Sequence, residues 1–155
     1  MIQRIQSLFL LATAILLLIL IYNPFATFIV EPQMTKYTLG VFGLSVADGT
    51  TVEKVQSMWF LLGFIIVVLL TNFVTIFLYQ RRILQIRLCV FTIVMLLGLQ
   101  GVMYYVVFAF GENLNSKPNY SLVFIFPLIA AILNFVALRA IARDEALIRS
   151  LDRLR

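Results

Sequence analysis

Four long stretches without charged residues alternate with shorter polar segments along the chain. Each stretch supplies the ~20 apolar residues that a helix needs to cross a ~30 Å hydrocarbon core. Backbone amides in lipid have no water to bond, so these stretches must satisfy their hydrogen bonds internally as helices. We therefore predict four membrane spans, at about Ser7–Tyr22, Met58–Tyr79, Leu88–Phe110 and Tyr120–Leu138.

The segments outside the spans differ in pattern. Residues 23–57 are predicted to form an exported loop with two extended pieces, Phe25–Val30 and Thr35–Val46, which pair as a small β-hairpin or sheet. An isolated hairpin is marginally stable, so we expect it to cap the helices. The alternative is a docking edge for another subunit or an exported partner. Residues 139–155 carry an apolar stripe, which predicts an amphipathic helix that lies on the membrane surface or packs against a partner helix.

The predicted fold is therefore an all-α integral membrane protein, a four-transmembrane-helix bundle that forms a single domain over residues 1–155. Hydrophobic residues make up 63% of the chain and charged residues 12%, about half the charged fraction that is usual in soluble domains. The chain has no histidine, and its single cysteine, Cys89, lies in an apolar run. These counts argue against haem ligation, common transition-metal sites and an intrachain disulfide, so no cofactor is expected. We expect Cys89 to pack as a small hydrophobic residue.

The twelve basic residues divide by type between the two sides of the predicted membrane. Lys36, Lys54 and Lys117 fall on one side, where the net charge is −1, and every arginine falls on the other, where it is +6; together these give the +5 of the chain. Positively charged segments near span ends resist translocation, so the arginine side and both termini are predicted to be cytoplasmic. The basic balance is interpreted as attraction to anionic lipids and not as nucleic-acid binding.

Three strongly polar residues lie within the predicted spans: Asn72, Gln100 and Asn134. An unpaired amide in hydrocarbon is costly, so we predict that they make polar contacts between helices. Asn72 and Asn134 are placed at similar depths, and we hypothesise that they bond across the second and fourth helices or to backbone. A role in binding substrate is the alternative. No charged residue lies in the middle of a span, although most ion-coupled transporters keep one there.

Three segments resemble an uncharacterised four-span membrane protein family of Bacteroidota. They are the opening residues 1–8, the loop residues 81–89 and the closing residues 140–155, of which the closing segment is the most specific. The resemblance covers the whole chain and implies a bacterial cytoplasmic membrane, but it brings no assigned activity. All three segments lie on the predicted cytoplasmic side, which is where a partner is expected.

These patterns favour a non-catalytic accessory or structural subunit of a larger inner-membrane complex, with secretion, translocation or respiratory machinery as the first settings to examine. The alternative is a small oligomeric transporter or channel in which Asn72, Gln100 and Asn134 line a polar path. An intramembrane enzyme is least expected, because no nucleophile, base or metal set occurs at one depth. Other membrane subunits and anionic lipids are the expected partners. The predicted cytoplasmic contacts are Arg81, Arg82, Arg87, Arg143, Arg149 and Arg153.

Overall fold

Four long helices run through the part of the chain that the structure describes. A computed structural model describes residues 3–30, 35–48, 51–78 and 81–152. The side chains of residues 3–5, 47–48, 51–55 and 148–152 lie outside that description. The helices are α1 (Gln3–Tyr22), α2 (Trp59–Phe77), α3 (Arg82–Asn113) and α4 (Phe126–Asp152).

The helices pack side by side in an up-and-down arrangement. α1 packs against α2 and α4, and α3 packs against the same two helices, so that each helix has two close neighbours. Gln6 near the start of α1 bonds to Asp144 near the end of α4, and Gln85 near the start of α3 bonds to the carbonyl of Thr75 near the end of α2. Adjacent helices are therefore antiparallel, as short connections favour.

A five-stranded antiparallel sheet covers one end of the helices. Its strands are β1 (Ala26–Val30), β2 (Thr35–Gly40), β3 (Gly43–Asp48), β4 (Thr51–Ser57) and β5 (Pro118–Tyr120). The order across the sheet is β4-β3-β2-β1-β5. The first four strands lie between α1 and α2, whereas β5 comes from the connection between α3 and α4. The sheet thus joins both halves of the chain, with Phe28 opposite Pro118 in the β1–β5 register.

The expectation of a small sheet in this loop is confirmed, but the loop holds four strands where two were predicted. The piece predicted as Thr35–Val46 is divided by a tight turn between Gly40 and Gly43. Gly43 has φ of 125°, and a Cβ there would lie 1.9 Å from the carbonyl oxygen of Gln56. Only glycine fits such a backbone, so the chain reverses there and β3 pairs back onto β2.

All four helices begin at residues other than the predicted starts of their spans, and the differences are largest for α3 and α4. α3 begins at Arg82 and not at Leu88, so Arg82 and Arg87 lie on the helix and not in a loop. Pro118–Tyr120 was assigned partly to the fourth span but forms β5. A short 3₁₀ helix, Leu122–Ile125, follows, and α4 begins at Phe126. Pro127 comes next, where a missing backbone N–H costs no helical hydrogen bond.

The outer surfaces of the helices are apolar. α2, α3 and the segment Leu122–Leu147 are long and apolar enough to cross a membrane, and the structure buries at most 33% of each apolar window. α1 contributes a shorter apolar helix, Gln6–Tyr22. A soluble helix buries its apolar stripe and exposes polar residues. The exposed apolar faces therefore indicate a membrane protein.

Candidate functional site

The buried apolar side chains form two separate clusters. The larger cluster contains residues of all four helices and the sheet. The smaller cluster lies nearer the end of the bundle that is opposite the sheet, and its buried members are Leu10, Cys89, Ala137 and Ile141. Cys89 thus packs among apolar neighbours with none of its surface exposed.

Each helix places a buried polar residue between the two clusters. These residues are Thr13 on α1, Asn72 on α2, Thr92 on α3 and Asn134 on α4, and at most 1% of the surface of each is exposed. We call these four residues the polar layer. Because one member comes from every helix, the layer separates the two apolar clusters across the whole bundle.

Hydrogen bonding within the polar layer is incomplete. The Nδ2 of Asn72 donates to the carbonyl oxygen of Leu10 on α1 at 2.9 Å. The hydroxyls of Thr13 and Thr92 donate to carbonyls of the preceding turn of their own helices, as hydroxyls in membrane helices often do. In the described structure, the Oδ1 of Asn72 and both polar atoms of the Asn134 amide are buried without a partner. Such atoms carry a desolvation cost of about 1–3 kcal/mol each unless water or a polar ligand bonds them.

Of the two arrangements considered for Asn72, a bond to Asn134 or a bond to backbone, the structure shows the second. The backbone belongs to the neighbouring helix α1. Gln100 lies apart from the layer, further along α3 toward the sheet, and its Oε1 is buried with no partner among the described residues. The structure therefore does not bring the three predicted amides together through hydrogen bonds.

The end of the bundle opposite the sheet gathers the arginines, and we call it the arginine end. It comprises the start of α1, the connection between α2 and α3, and the C-terminal part of α4. Arg81 and Arg87 are exposed there, whereas Arg82 is half-buried. The Nη1 of Arg82 is buried and has no hydrogen-bond partner within the described ranges. Arg143 is exposed on α4.

Two of the predicted contact residues are described less fully or not at all. Arg149 belongs to the helical backbone of α4, but its side chain lies outside the described part. Arg153 lies wholly outside the described residues. Lys36 lies on β2 and Lys117 directly before β5, so both belong to the sheet side of the molecule. Within the described residues, the two basic residue types thus separate in space as they do in sequence.

The predicted amphipathic tail is the continuation of α4, which runs without a break to Asp152. Its first turns pack inside the protein. Ile141 is 1% exposed within the smaller cluster, and the Nε2 of Gln6 donates to the Oδ2 of Asp144 at 2.6 Å. This part of the tail therefore packs against α1 of the same chain. Leu147 on the predicted apolar stripe is 55% exposed.

Sequence reasoning missed the polar residues that fasten the helices to one another. Gln6 and Gln85 are buried, and each bonds to a neighbouring helix. Both are near span ends, where a polar side chain is expected to face water. Thr13 and Thr92 were missed because threonine is tolerated anywhere in a membrane helix. Their helical spacing relative to the buried apolar residues is the signal that could have found them.

The residues that the structure describes contain no group of three or more histidine, cysteine, aspartate or glutamate side chains that could hold a metal ion. The polar layer offers amide and hydroxyl groups, which can bind water or a small polar ligand. The arginine end offers guanidinium groups, which bind phosphate and carboxylate. These two features are the candidate sites.

Comparison with known proteins gives a family. A family model described as a domain of unknown function, DUF4293, matches residues 2–154. No curated protein matches the chain. The expected resemblance to an uncharacterised family is confirmed at that level. Because the match covers nearly the whole chain, the protein belongs to the DUF4293 family, a family of unknown function.

Proposed function

We propose that this protein is a four-span protein of the inner membrane of a bacterium, with Bacteroidota as the source that the resemblance implies. In this proposal the arginine end and both termini are cytoplasmic, and the protein serves as a non-catalytic accessory or structural subunit of a larger membrane complex. The single observation that carries the proposal is the unequal division of basic residues between the two ends of an apolar bundle: the sequence assigns nine arginines to one end and three lysines to the other. Arginine and lysine enriched near span ends resist translocation, which supports the stated orientation.

The thickness of the apolar zone supports a spanning bundle. Tyr22, Trp59 and Tyr105 are exposed near the sheet, where the amphipathic rings favour a membrane interface. From Arg87 to Tyr104 along α3, and from Arg4 to Tyr22 along α1, the helices rise ~26 Å at ~1.5 Å per residue. This rise approaches the ~30 Å of a hydrocarbon core.

The packing of α1 supports a fourth span. α1 contacts α4 near Gln6 at the arginine end and leads into the sheet through Phe25 at the other end. It also packs against α2, to which Asn72 bonds it near its middle. A helix that packs along two spanning helices, α2 and α4, over this length crosses the same thickness of lipid. Its ~30 Å length is sufficient for that.

The distribution of unused polar groups supports an accessory role. The sheet end satisfies many of its backbone groups through strand pairing. At the arginine end, Arg81, Arg87 and Arg143 point their charge outward, and Arg82 has a buried nitrogen without a partner. Charged groups that one chain leaves exposed together on one face can steer and orient a partner of opposite charge. A cytoplasmic partner surface rich in carboxylates fits this end.

Co-purification tests the proposal. We expect the tagged chain, extracted from native membranes in a mild detergent, to bring down a stoichiometric membrane partner that mass spectrometry identifies. The variant R81Q/R82Q/R87Q should lose that partner while it keeps the helical content and unfolding midpoint of the parent. A matched control, K36Q/K117Q, changes charge at the sheet end and should keep the partner. Recovery of the chain alone in every preparation would contradict the accessory role.

The polar layer favours a second candidate function, a small oligomeric transporter or channel. The specific observation is the pair of buried asparagines, of which Asn134 finds no partner for either polar atom among the residues that the structure describes. Such groups can bind a polar solute that passes through the bundle. If this function holds, N134L should abolish a solute flux in proteoliposomes while the protein stays assembled. Transport would be contradicted if N134L left the flux unchanged, or if N134L lost a protein partner and failed to fold.

A further inference from the structure

A groove of 590 Å³ lies along the outer face of α4 at the arginine end. Its walls combine apolar and basic side chains in a fixed order along the helix. Phe135 and Val136 lie on the side nearer the sheet, Arg139 and Ala140 in the middle, and Arg143 beyond them. Asp144 and Leu147 are the other lining residues in the described part of the chain.

The apolar part of the groove continues onto the surface that faces outward from the bundle. Phe135 is 54% exposed and Ile132 58% exposed, whereas Asn134 and Ala137 on the same helix are fully buried. The groove is therefore on the lipid side of α4 and not between helices. Ala140, with its small side chain, leaves the space between the larger neighbours open.

The basic part of the groove is spaced for one anion. Arg139 and Arg143 are four residues apart, so they lie one above the other on the same helix face. Both are exposed. The carboxylate in the groove, Asp144, accepts a hydrogen bond from the Nε2 of Gln6 at 2.6 Å, which directs one of its oxygens toward α1. The two guanidinium groups outnumber that single carboxylate, and arginine binds phosphate with paired hydrogen bonds.

We propose that this groove binds one anionic glycerophospholipid of the cytoplasmic leaflet. The phosphate lies between Arg139 and Arg143, and an acyl chain lies along Phe135, Val136 and Ile132 toward the middle of the membrane. Charge complementarity identifies the headgroup, and the order of apolar and basic side chains along α4 matches the order of acyl chain and phosphate in a lipid. The site rests on the proposed membrane orientation, which places the lipid phosphates of the cytoplasmic leaflet at the level of Arg139 and Arg143.

Native mass spectrometry of the delipidated, detergent-purified full chain tests the site with phosphatidylglycerol as the probe. We expect one phosphatidylglycerol to bind ahead of any others, and phosphatidylcholine to bind more weakly because its headgroup has no net charge. Each arginine near anionic lipid contributes enough for roughly a fivefold change in affinity, so R139Q/R143Q should weaken binding roughly 25-fold. Inorganic phosphate at equal concentration should not displace the lipid, because it lacks the acyl chain.

Two further variants keep the result interpretable. R81Q/R87Q removes the same charge at the same end of the bundle and should leave phosphatidylglycerol binding within about twofold of the parent. A140F fills the groove but keeps both arginines, and it should weaken binding if the groove holds the lipid. Equal binding by R139Q/R143Q and the parent, equal loss in R81Q/R87Q, or displacement by inorganic phosphate would overturn the proposal. Because the assay uses the isolated chain, its result is independent of whether a protein partner exists.

Discussion

The two ends of the bundle are held together in different ways. At the sheet end, backbone hydrogen bonds connect segments that are distant in sequence: the N–H of Phe25 donates to Leu39, and the N–H of Ser121 donates to Phe25. At the arginine end, the described contacts between helices include the side-chain bonds of Gln6 to Asp144 and of Gln85 to Thr75. The sheet end thus relies on a continuous backbone network, and the arginine end on individual side chains.

This difference leaves the backbone polar groups paired at the sheet end and charged side chains exposed to a partner at the arginine end. Strand pairing uses the polar groups of the backbone in a repeating ladder, which leaves few of them for a partner. Single side-chain bonds fix the helices at the arginine end but leave guanidinium groups exposed. Substitutions at the sheet end should therefore affect stability most, and substitutions at the arginine end should affect binding more than stability.

The largest loss of stability is expected for the substitution F28A. Phe28 is fully buried between the sheet and the helices, within 3.7 Å of the position that a Cβ on Gly111 would take. Removing a buried phenylalanine typically costs about 3–5 kcal/mol through lost burial and a cavity. The matched control F42A removes a ring that is 46% exposed and should cost far less. Unfolding in mixed detergent micelles measures both. Equal costs would contradict the view that the sheet end carries the stability.

A smaller loss of stability is expected when the bond between Gln6 and Asp144 is removed. This bond joins a neutral amide to a carboxylate at 2.6 Å, and hydrogen bonds to charged groups contribute about 1.5–3 kcal/mol. A double-mutant cycle with Q6A, D144A and the double variant should give a coupling energy of about 1–2 kcal/mol, since the pair is partly exposed. A coupling energy near zero would mean that α1 and α4 are held by apolar packing alone.

The smallest changes in the free energy of unfolding are expected when each of the two asparagines of the polar layer is replaced by leucine. N72L removes the bond to the carbonyl of Leu10 and should cost about 0.6–1 kcal/mol, as measured for such contacts in membranes. N134L removes an amide that bonds to none of the described residues, so the free energy of unfolding should stay the same or rise by about 1 kcal/mol. The same micelle assay compares them. A marked loss of stability in N134L would show that this amide has a partner, such as water.

Local patterns were sufficient to predict the four helices, because each apolar run is long and free of charge. They were insufficient for the sheet. β5 lies about 90 residues from its partner β1 in sequence, with Asn119 opposite Thr27, and no periodicity in either segment indicates that they pair. The turn at Gly43 had a signal, the glycines that flank Val41 and Phe42, but the apolar residues around it read as one strand.

At the candidate sites, too, some features could be predicted from local sequence and others depend on how the helices pack. Amides inside apolar runs could be identified from residue type, but their partners depend on how the helices are rotated about their axes. Asn72 therefore contacts α1, although a bond to α4 was one of the two arrangements considered. The groove on α4 also escaped prediction, because Arg139, the first residue of the predicted tail, was not grouped with Arg143 as a contact residue on the same helix face. Whether a helix face is exposed or buried follows only from packing.

Cysteine labelling in intact cells tests the central claim most directly, namely that the bundle spans the membrane with its arginine end in the cytoplasm. In a C89A background, K36C places a thiol on exposed β2 and R81C places one at the exposed start of α3. A membrane-impermeant maleimide should label K36C and spare R81C until the inner membrane is permeabilised. Labelling of R81C in intact cells, or of neither residue after permeabilisation of the outer membrane alone, would contradict the account.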